Sequence, residues 1–183
     1  MLKTKLHTEK VLGIDPGSLH TGYGVLSQQG SRLIYIDSGV ISPNKSLAFE
    51  QRLNFIYETL KLVMLKHQVT SVAVESIFYG KNVKSALILA HARAMALLLA
   101  AQHKLKVYEY SPLEVKIACT GYGRASKDQV ASMIQHLFPK FAHKEKSKAD
   151  ESDALSVALC HLNTHPTLQQ KTQQAISNSA ITD

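Results

Sequence analysis

The alternation of apolar and polar positions predicts three short β-strands in the first part of the chain. A turn at Pro16 and Gly17 and a break at Gly30 separate these strands, because both residue types interrupt regular structure. Since the connections are short, we expect neighbouring strands to run antiparallel. The strands are expected at residues 11–14, 21–27 and 32–41.

Apolar residues then recur at intervals of three and four, which predicts an amphipathic helix beginning near Ser46. A short apolar run at 69–74 predicts a fourth strand, and a helix between two strands implies a crossover and parallel pairing. The remaining pattern predicts a fifth strand at 107–110 and helices at about 82–103, 112–119, 126–138 and 150–161. We therefore expect an α/β fold with a mixed five-stranded sheet, three antiparallel strands followed by two parallel ones, flanked by helices.

The long helix predicted at about 82–103 is unusually apolar. Between residues 86 and 101 its polar side chains are His91 and Arg93, so the apolar surface covers most of the circumference. A helix on the outside of a single sheet needs only one apolar stripe. The excess indicates a second contact, either within the chain, as in a core helix, or with a second subunit, which we favour.

The length of 183 residues fits one domain with its own core. Residues 1–10 are polar and are expected to form a flexible lead, and residues 11–162 carry the predicted elements. The segment 163–183 is rich in Gln, Ser and Thr, which favours a disordered tail.

The balance of charge narrows the class of partner. Lysine and arginine exceed aspartate and glutamate, giving a formal net charge of +7, which favours a polyanion such as nucleic acid. Cys119 and Cys160 lie far apart without a CxxC pattern, which argues against a zinc site and for a reducing compartment. No signal peptide and no membrane-spanning apolar run is recognisable, so we expect a cytoplasmic protein without a membrane span.

Three acidic features lie where predicted elements end or begin. Asp15 follows the first strand, Glu75 follows the fourth, and Asp150 and Asp153 open the last helix on one face. Simpler explanations exist, since Asp15 can open a turn and Asp150 can form a capping box with Ser147. If the first and fourth strands are neighbours, however, all four acids can lie in one cluster.

A cluster of this kind would offer oxygen ligands, which favour Mg²⁺ or Mn²⁺ over zinc. Two such ions a few ångströms apart can activate a water and stabilise the leaving oxygen in phosphodiester hydrolysis. In a basic chain, lysines and arginines would position the phosphates. The combination indicates a metal-dependent nuclease.

Several segments together resemble the RuvC family of bacterial Holliday-junction resolvases. They follow one another from about residue 11 to residue 161: GIDPGSLHTGYGV, AVESIFYGKN, the run from SAL to HARA, EYSPLEVK, GYGRASKDQV and KADESDALSVALCH. The family has a ribonuclease H-like fold, which agrees with the predicted order of elements. The resemblance implies a magnesium-dependent crossover junction endodeoxyribonuclease of recombination and repair, which resolves four-way DNA junctions by paired symmetric nicks.

The resemblance also implies roles for individual residues. Asp15, Glu75, Asp150 and Asp153 would be the catalytic metal ligands, holding two Mg²⁺ ions that Mn²⁺ can replace. Lys127 would stabilise charge on the scissile phosphate or help to orient water. The implied DNA contacts are a base-stacking aromatic and several cations, namely Phe78, Lys81, Lys84, Lys116, Arg124 and Lys127.

The family acts as a homodimer and works with the RuvA–RuvB branch-migration motor, so the resemblance implies these partners together with junction DNA. Other interpretations stay open. Solvated surface positions would explain Lys116 and Lys127, and a core position would explain Phe78. A ribonuclease H acting on RNA–DNA hybrids shares the fold and the acids. Actin-like ATPases open with a similar motif but are longer, and a non-catalytic junction-binding module would not need four clustered acids.

Overall fold

The computed structural model describes residues 9–76, 83–144 and 149–179, with side chains as far as residue 165. The strands are β1 (Glu9–Asp15), β2 (Thr21–Gln29), β3 (Arg32–Ile41), β4 (Ser71–Glu75) and β5 (Lys106–Tyr110). The helices are α1 (Phe49–His67), α2 (Val83–Gln102), α3 (Pro112–Thr120), α4 (Lys127–Leu137), α5 (Pro139–Ala142) and α6 (Ala149–Ser179).

The five strands form one mixed sheet in the order β3-β2-β1-β4-β5. β1 pairs antiparallel with β2, and β2 pairs antiparallel with β3. β4 runs parallel to both of its neighbours, β1 and β5. The predicted mixed sheet, with three antiparallel strands followed by two parallel ones, is therefore confirmed.

Helices cover both faces of the sheet. Since side chains alternate along each strand, successive residues of β1 belong to the cores on opposite faces. Leu12 and Ile14 of β1 belong to a core shared with α1 and α2, where they pack with residues such as Leu60. Val11 belongs to the opposite core, which α3, α4, α5 and α6 build around residues such as Leu155. The inner strands β1 and β4 are thus buried on both faces, as parallel strands with helical crossovers require.

Several predicted boundaries differ from the structure. The first helix is predicted to begin near Ser46, whereas α1 begins at Phe49. The sequence predicts a flexible lead over residues 1–10, but β1 already begins at Glu9, because β2 extends far enough to pair with Glu9 and Lys10. The last helix is predicted to end at His161, whereas α6 continues to Ser179. The added segment is rich in glutamine, which a helix accommodates at little cost, but it also contains Pro166, whose position inside a helix costs about 3 kcal/mol. The predicted domain limits stay predictions.

α2 occupies the place of the predicted long apolar helix, whose expected first residue lies outside the described residues. Ala96 and Leu99 are buried in the core shared with α1 and the sheet. Arg93 forms an ion pair with Glu109 of β5, at 2.6 Å between Nη2 and Oε2. By length and composition α2 passes as a membrane span, which on its own is weak evidence.

Serine caps fix the starts of the two helices beside the carboxyl ends of the parallel strands. Ser111 accepts a hydrogen bond from the Glu114 backbone N–H, and Ser126 accepts one from the Gln129 backbone N–H. In each capping box the third helical residue accepts a return bond from the serine N–H. The predicted helix start after Ser111 is confirmed, and Lys127 becomes the first residue of α4.

Glycines allow α6 to lie directly against β1 and β2. A Cβ atom at Gly13 would overlap the Ala154 carbonyl oxygen and approach the Ala158 Cβ to 2.8 Å. A Cβ atom at Gly22 would overlap the carbonyl oxygen of Asp150. Because interiors are close-packed, either side chain would move the helix. The absence of these side chains therefore determines where α6 begins relative to the sheet.

We expect Gly22→Ala to lower the free energy of unfolding by about 1–3 kcal/mol, because the new methyl group displaces the first turn of α6. Urea unfolding measures the change. Gln29→Ala, at the exposed end of the same strand, is the matched control and should shift stability by less than about 0.5 kcal/mol. A Gly22→Ala variant as stable as the wild type would contradict the close packing.

Candidate active site

Two of the predicted acids lie side by side where β1 and β4 end. These strands pair in parallel, so Asp15 and Glu75 leave the sheet together at the same edge. Gly13 faces α6, and alternation along β1 puts Asp15 on the same face. Ala73 belongs to the core on that face, and alternation along β4 places Glu75 there as well. The first and fourth strands are thus neighbours, as the cluster hypothesis requires.

The start of α6 brings the other two acids to this edge. Asp150 lies over Gly22, which pairs with Asp15 of β1. Asp153 follows three residues later and so shares a face of the helix with Asp150. Its carboxylate accepts a hydrogen bond from the Lys127 ammonium group, at 3.1 Å. Three elements therefore supply four carboxylates to one region.

Glu151 anchors the same helical turn from its buried side. Its carboxylate accepts hydrogen bonds from the Ser38 hydroxyl and from the Lys144 ammonium group, both at 2.7 Å. Lys144 also donates to the Ser38 carbonyl oxygen at 2.6 Å, which closes a triangle between β3 and α6. Because the Glu151 side chain is only 4% exposed, its partners compensate a buried charge. The triangle fixes which face of α6, with Asp150 and Asp153, turns toward β1.

Two lysines approach the carboxylates across a cavity of about 310 Å³. Lys127, at the first position of α4, contacts Asp153 while its own side chain remains 84% exposed. Lys116, on α3, lines the same cavity as Glu75. The wall is completed by apolar and hydroxyl side chains, namely Pro112, Val115, Val130 and Ser156. The cavity therefore offers a mixed lining of acids and cations that is open to solvent.

Burial and mutual repulsion disfavour the charged form of the acids. Burial raises the pKa of Asp15 to about 7, and the charges of the other three acids add to this effect. The pKa of Glu75 is also raised, by burial and by Asp153, against the opposing charges of two lysines. The hydrogen bond to Asp153 raises the pKa of Lys127. The nearby cations thus neutralise the cluster only in part.

The donor set suits a hard divalent cation. The converging groups are all carboxylates, whose oxygens favour Mg²⁺ or Mn²⁺. Burial, followed by the charges of the other three acids, raises the pKa of Asp15 against the opposing charge of Lys127. A bound cation would favour the ionised carboxylates and offset their repulsion. The residues present therefore fit the metal-binding role that the sequence predicts for them.

Comparison with known proteins identifies the family of the chain. The family model described as "Crossover junction endodeoxyribonuclease RuvC" matches residues 11–161. The chain belongs to the RuvC family. A RuvC from Pelobacter propionicus is 46% identical over 156 residues, which cover 85% of this chain and 87% of that protein. A RuvC from Geotalea uraniireducens is 46% identical over 157 residues, covering 85% and 89%.

A solved structure supports the same assignment. The Thermus thermophilus RuvC in complex with a Holliday junction substrate matches with a TM-score of 0.78 and 29% sequence identity. The match covers 86% of this chain and 94% of that one. The predicted ribonuclease H-like fold of the RuvC family is therefore confirmed.

The described residues of this RuvC-family chain do not include every predicted site residue. Phe78 and Lys81 lie outside them, as does Ser147, the suggested capping partner of Asp150. Lys84 on α2 and Arg124 before α4 are exposed, and within the described ranges neither forms an ion pair with a carboxylate of the cluster. Their DNA-binding roles stay predictions.

The Glu151 triangle was not foreseen from the sequence. The acid is visible between two predicted ligands in the segment DESD, but its partner Ser38 lies 113 positions away. No local spacing connects the two residues, because β3 and α6 meet only after the sheet has formed. The available signal was an acid that falls on the opposite side of the helix from the predicted ligands.

We expect Asp15→Asn to stabilise the metal-free protein above neutral pH. The unfolded carboxyl ionises near its ordinary pKa of 3.8, whereas the folded one ionises near 7, so wild-type stability falls as pH rises between these values. The advantage of the variant should grow over this range and level off at about 4 kcal/mol, because each pKa unit corresponds to about 1.4 kcal/mol. Urea unfolding of chelator-treated protein across the pH range measures it.

The pH dependence itself is the control, because the two proteins should converge in stability near pH 4. Excess Mg²⁺ at pH 8 should shrink the difference, since a bound cation favours the ionised wild-type carboxylate. A stability difference that does not vary with pH would contradict the raised pKa of Asp15.

Proposed function

We propose that the chain resolves four-way DNA junctions by hydrolysing phosphodiester bonds at paired, symmetric positions, in homologous recombination and repair. The observation that carries this proposal is the cluster of Asp15, Glu75, Asp150 and Asp153, set beside lysines in a member of the RuvC family. The Holliday junction bound to the Thermus thermophilus relative supports junction DNA as the substrate.

RuvC-family nucleases use divalent metal, and here we propose two Mg²⁺ ions per site, with Mn²⁺ able to replace them. Asp15, Glu75, Asp150 and Asp153 would hold the ions, because their carboxylates converge from β1, β4 and α6. When bound, the ions would supply an activated water and stabilisation of the leaving oxygen.

The lysines of the site would act on the phosphate group. Lys127 lies at the N-terminus of α4, where the helix dipole also favours an anion. Its side chain is 84% exposed, so it can leave Asp153 and contact the scissile phosphate or orient water. Lys116, on the facing wall of the cavity, would contact a neighbouring phosphate. In this proposal Lys127 acts in cleavage, whereas Lys116 acts in binding.

The remaining predicted contacts concern the junction outside the scissile bond. The exposed side chains of Lys84 and Arg124, together with Lys81, would bind backbone phosphates. Phe78, close to Glu75 in sequence, would stack on a base at the junction centre. These four roles derive from the resemblance to the family and from the chemistry of each side chain.

The test is cleavage of a synthetic immobile four-way junction in Mg²⁺, beside a linear duplex and an RNA–DNA hybrid. We expect paired symmetric nicks in the junction alone. Asp15→Asn should slow cleavage by on the order of a hundredfold or more and keep junction binding. Lys127→Ala should slow cleavage by about tenfold or more with a smaller loss of binding.

Lys140→Ala removes an exposed lysine from α5 and serves as the matched control for Lys127→Ala. Equal losses of cleavage and binding in Lys127→Ala would reduce Lys127 to a simple phosphate contact. Normal cleavage by Asp15→Asn would overturn the metal-site proposal. Cleavage of the hybrid alone would assign a ribonuclease H activity, and binding without cleavage in Mg²⁺ or Mn²⁺ would assign a junction-binding module.

We also propose that the chain forms a homodimer through α2. Leu87, His91, Ala94, Leu98 and Ala101 are exposed and recur at intervals of four and three, so they form one stripe along the helix. Leucines in such a stripe can bury apolar area against a second copy, while the alanines allow close approach. Two active sites related by a two-fold axis would suit the approximate symmetry of a four-way junction.

We expect Leu98→Glu to convert the dimer to a monomer, because the charge would be buried in the interface. Sedimentation velocity measures the oligomeric state, and the junction assay should show single nicks in place of paired ones. Leu137→Glu is the matched control, since Leu137 of α4 is 41% exposed and Leu98 is 47% exposed. A Leu98→Glu variant that remains dimeric would exclude this surface.

The resemblance to the family further supports two proposals about cellular context. We propose that the chain works with the RuvA–RuvB branch-migration motor and that it acts in the cytoplasm. The basic net charge of +7 agrees with work on DNA.

A further inference from the structure

A second group of metal-binding side chains lies at the opposite end of β1 from the acidic cluster. The ligand atoms of Glu9, His161 and His165 all lie within 4.8 Å of one another. His161 Nε2 is 2.9 Å from Glu9 Oε1, and His165 Nδ1 is 4.0 Å from Glu9 Oε2. Both imidazoles therefore present a ring nitrogen to the same carboxylate.

The spacing of the two histidines is one that helices use for metal. His161 and His165 are four residues apart on α6, so they lie on one face, and their rings stack with centroids 4.8 Å apart. Two histidines at this spacing on a helix, completed by a third protein ligand, form zinc sites in other proteins. Here Glu9 of β1 supplies the third ligand.

Hydrogen bonds behind the ligands resemble the outer shell of a metal site. The other ring nitrogen of His161, Nδ1, lies 2.8 Å from the Tyr110 hydroxyl. The Ser71 hydroxyl donates to Glu9 Oε1 at 3.0 Å. Partners of this kind fix the orientation of a ligating imidazole and carboxylate. Tyr108 packs against the His161 and His165 rings, with centroids 4.3 and 4.6 Å away.

We propose that Glu9, His161 and His165 form a binding site for a transition-metal ion of the Zn²⁺, Co²⁺ or Ni²⁺ type. Two imidazoles and one carboxylate match the ligand preference of these ions and disfavour Mg²⁺. The His161 side chain is fully buried, whereas those of His165 and Glu9 are 13% and 26% exposed. The solvent side therefore leaves room for a water as a fourth ligand.

The arrangement needs only a small adjustment to accept an ion. Zinc–nitrogen bonds of about 2.0–2.1 Å place neighbouring ligand atoms roughly 3.3 Å apart in a tetrahedral site. The pair formed by His161 and Glu9 is already near this separation. His165 must approach Glu9 by roughly 0.7 Å from the present 4.0 Å. The most widely separated ligand atoms of the group, which lie within 4.8 Å of one another, must approach by up to roughly 1.5 Å, which side-chain rotations can provide. Lys106 lies near His165, so its charge opposes the ion and moderates the affinity.

The site would join elements that come from the two ends of the chain. Glu9 begins β1, His161 and His165 lie on α6, and Tyr110 ends β5. A metal ion would connect β1 to α6 at the edge opposite the nuclease cluster. Glu9 and Asp15 are six steps apart along the extended strand, a distance of about 20 Å. Metal binding at this site would therefore change the stability of the fold and leave junction cleavage unaffected.

The test is binding of Zn²⁺ to the full chain in the presence of excess Mg²⁺, followed by competition with a chromophoric chelator. We expect one equivalent of Zn²⁺ per chain and a rise in melting temperature on binding. Co²⁺ in its place should give the intense visible absorption of a nitrogen-ligated, low-coordinate ion. His165→Gln should weaken Zn²⁺ binding by about a hundredfold and keep junction cleavage in Mg²⁺.

Two variants separate this site from the alternatives. His136→Gln removes an exposed histidine from α4 and should leave Zn²⁺ binding unchanged. Asp153→Asn, in the nuclease cluster, should also keep the equivalent of Zn²⁺. Unaltered affinity in His165→Gln, or loss of Zn²⁺ only in Asp153→Asn, would overturn the proposal. The His165 side chain is partly exposed, so we expect the His165→Gln variant to fold. Circular dichroism of the metal-free variant checks this.

Discussion

Direct contact between α6 and the glycines of β1 and β2 is the constraint on which the rest of the site depends. A side chain at Gly13 or Gly22 would occupy the space of the α6 backbone, so no larger residue permits the same approach. The contact sets Asp150 over the strand next to Asp15. Packing alone, without any charge interaction, therefore brings Asp15 and Asp150 together although they are distant in sequence.

Neighbouring acids on the first turn of α6 differ in how far their charges are compensated. Glu151 is buried and fully paired with Ser38 and Lys144, so its charge stabilises the orientation of the helix. Asp153 lines the cavity, and the charges of Asp150 and Asp153 add to the burial that raises the pKa of Asp15 to about 7. Unbalanced charge on one face and balanced charge on the other distinguish a ligand-binding surface from a structural contact.

Most strands and helices could be predicted from the sequence because hydrophobic periodicity is a local property of the chain. Alternation and turn residues located the strands, and a helical crossover implied a parallel pairing for β4. That β1 is the neighbour of β4, which brings Asp15 beside Glu75, was only a condition of the cluster hypothesis until the structure showed it. Contacts between distant segments were not predictable in this way. The triangle of Ser38, Lys144 and Glu151 has no local signature, and the start of β1 depended on partners that β2 provides.

The group of Glu9, His161 and His165 at the far end of β1 is a second example of a contact between distant segments that the sequence did not predict. Glu9 falls in the predicted lead and His165 in the predicted tail, so both were expected to lie outside the domain, and the cysteines were the only residues weighed as zinc ligands. The fold brings these terminal segments together because β1 and α6 are packed along their length. Where β1 and α6 pack together, the two ends of β1 lie beside different ligands. The Asp15 end has carboxylate oxygens alone, and the Glu9 end has one carboxylate and two imidazole nitrogens. Ligand preference would then direct different ions to the two ends.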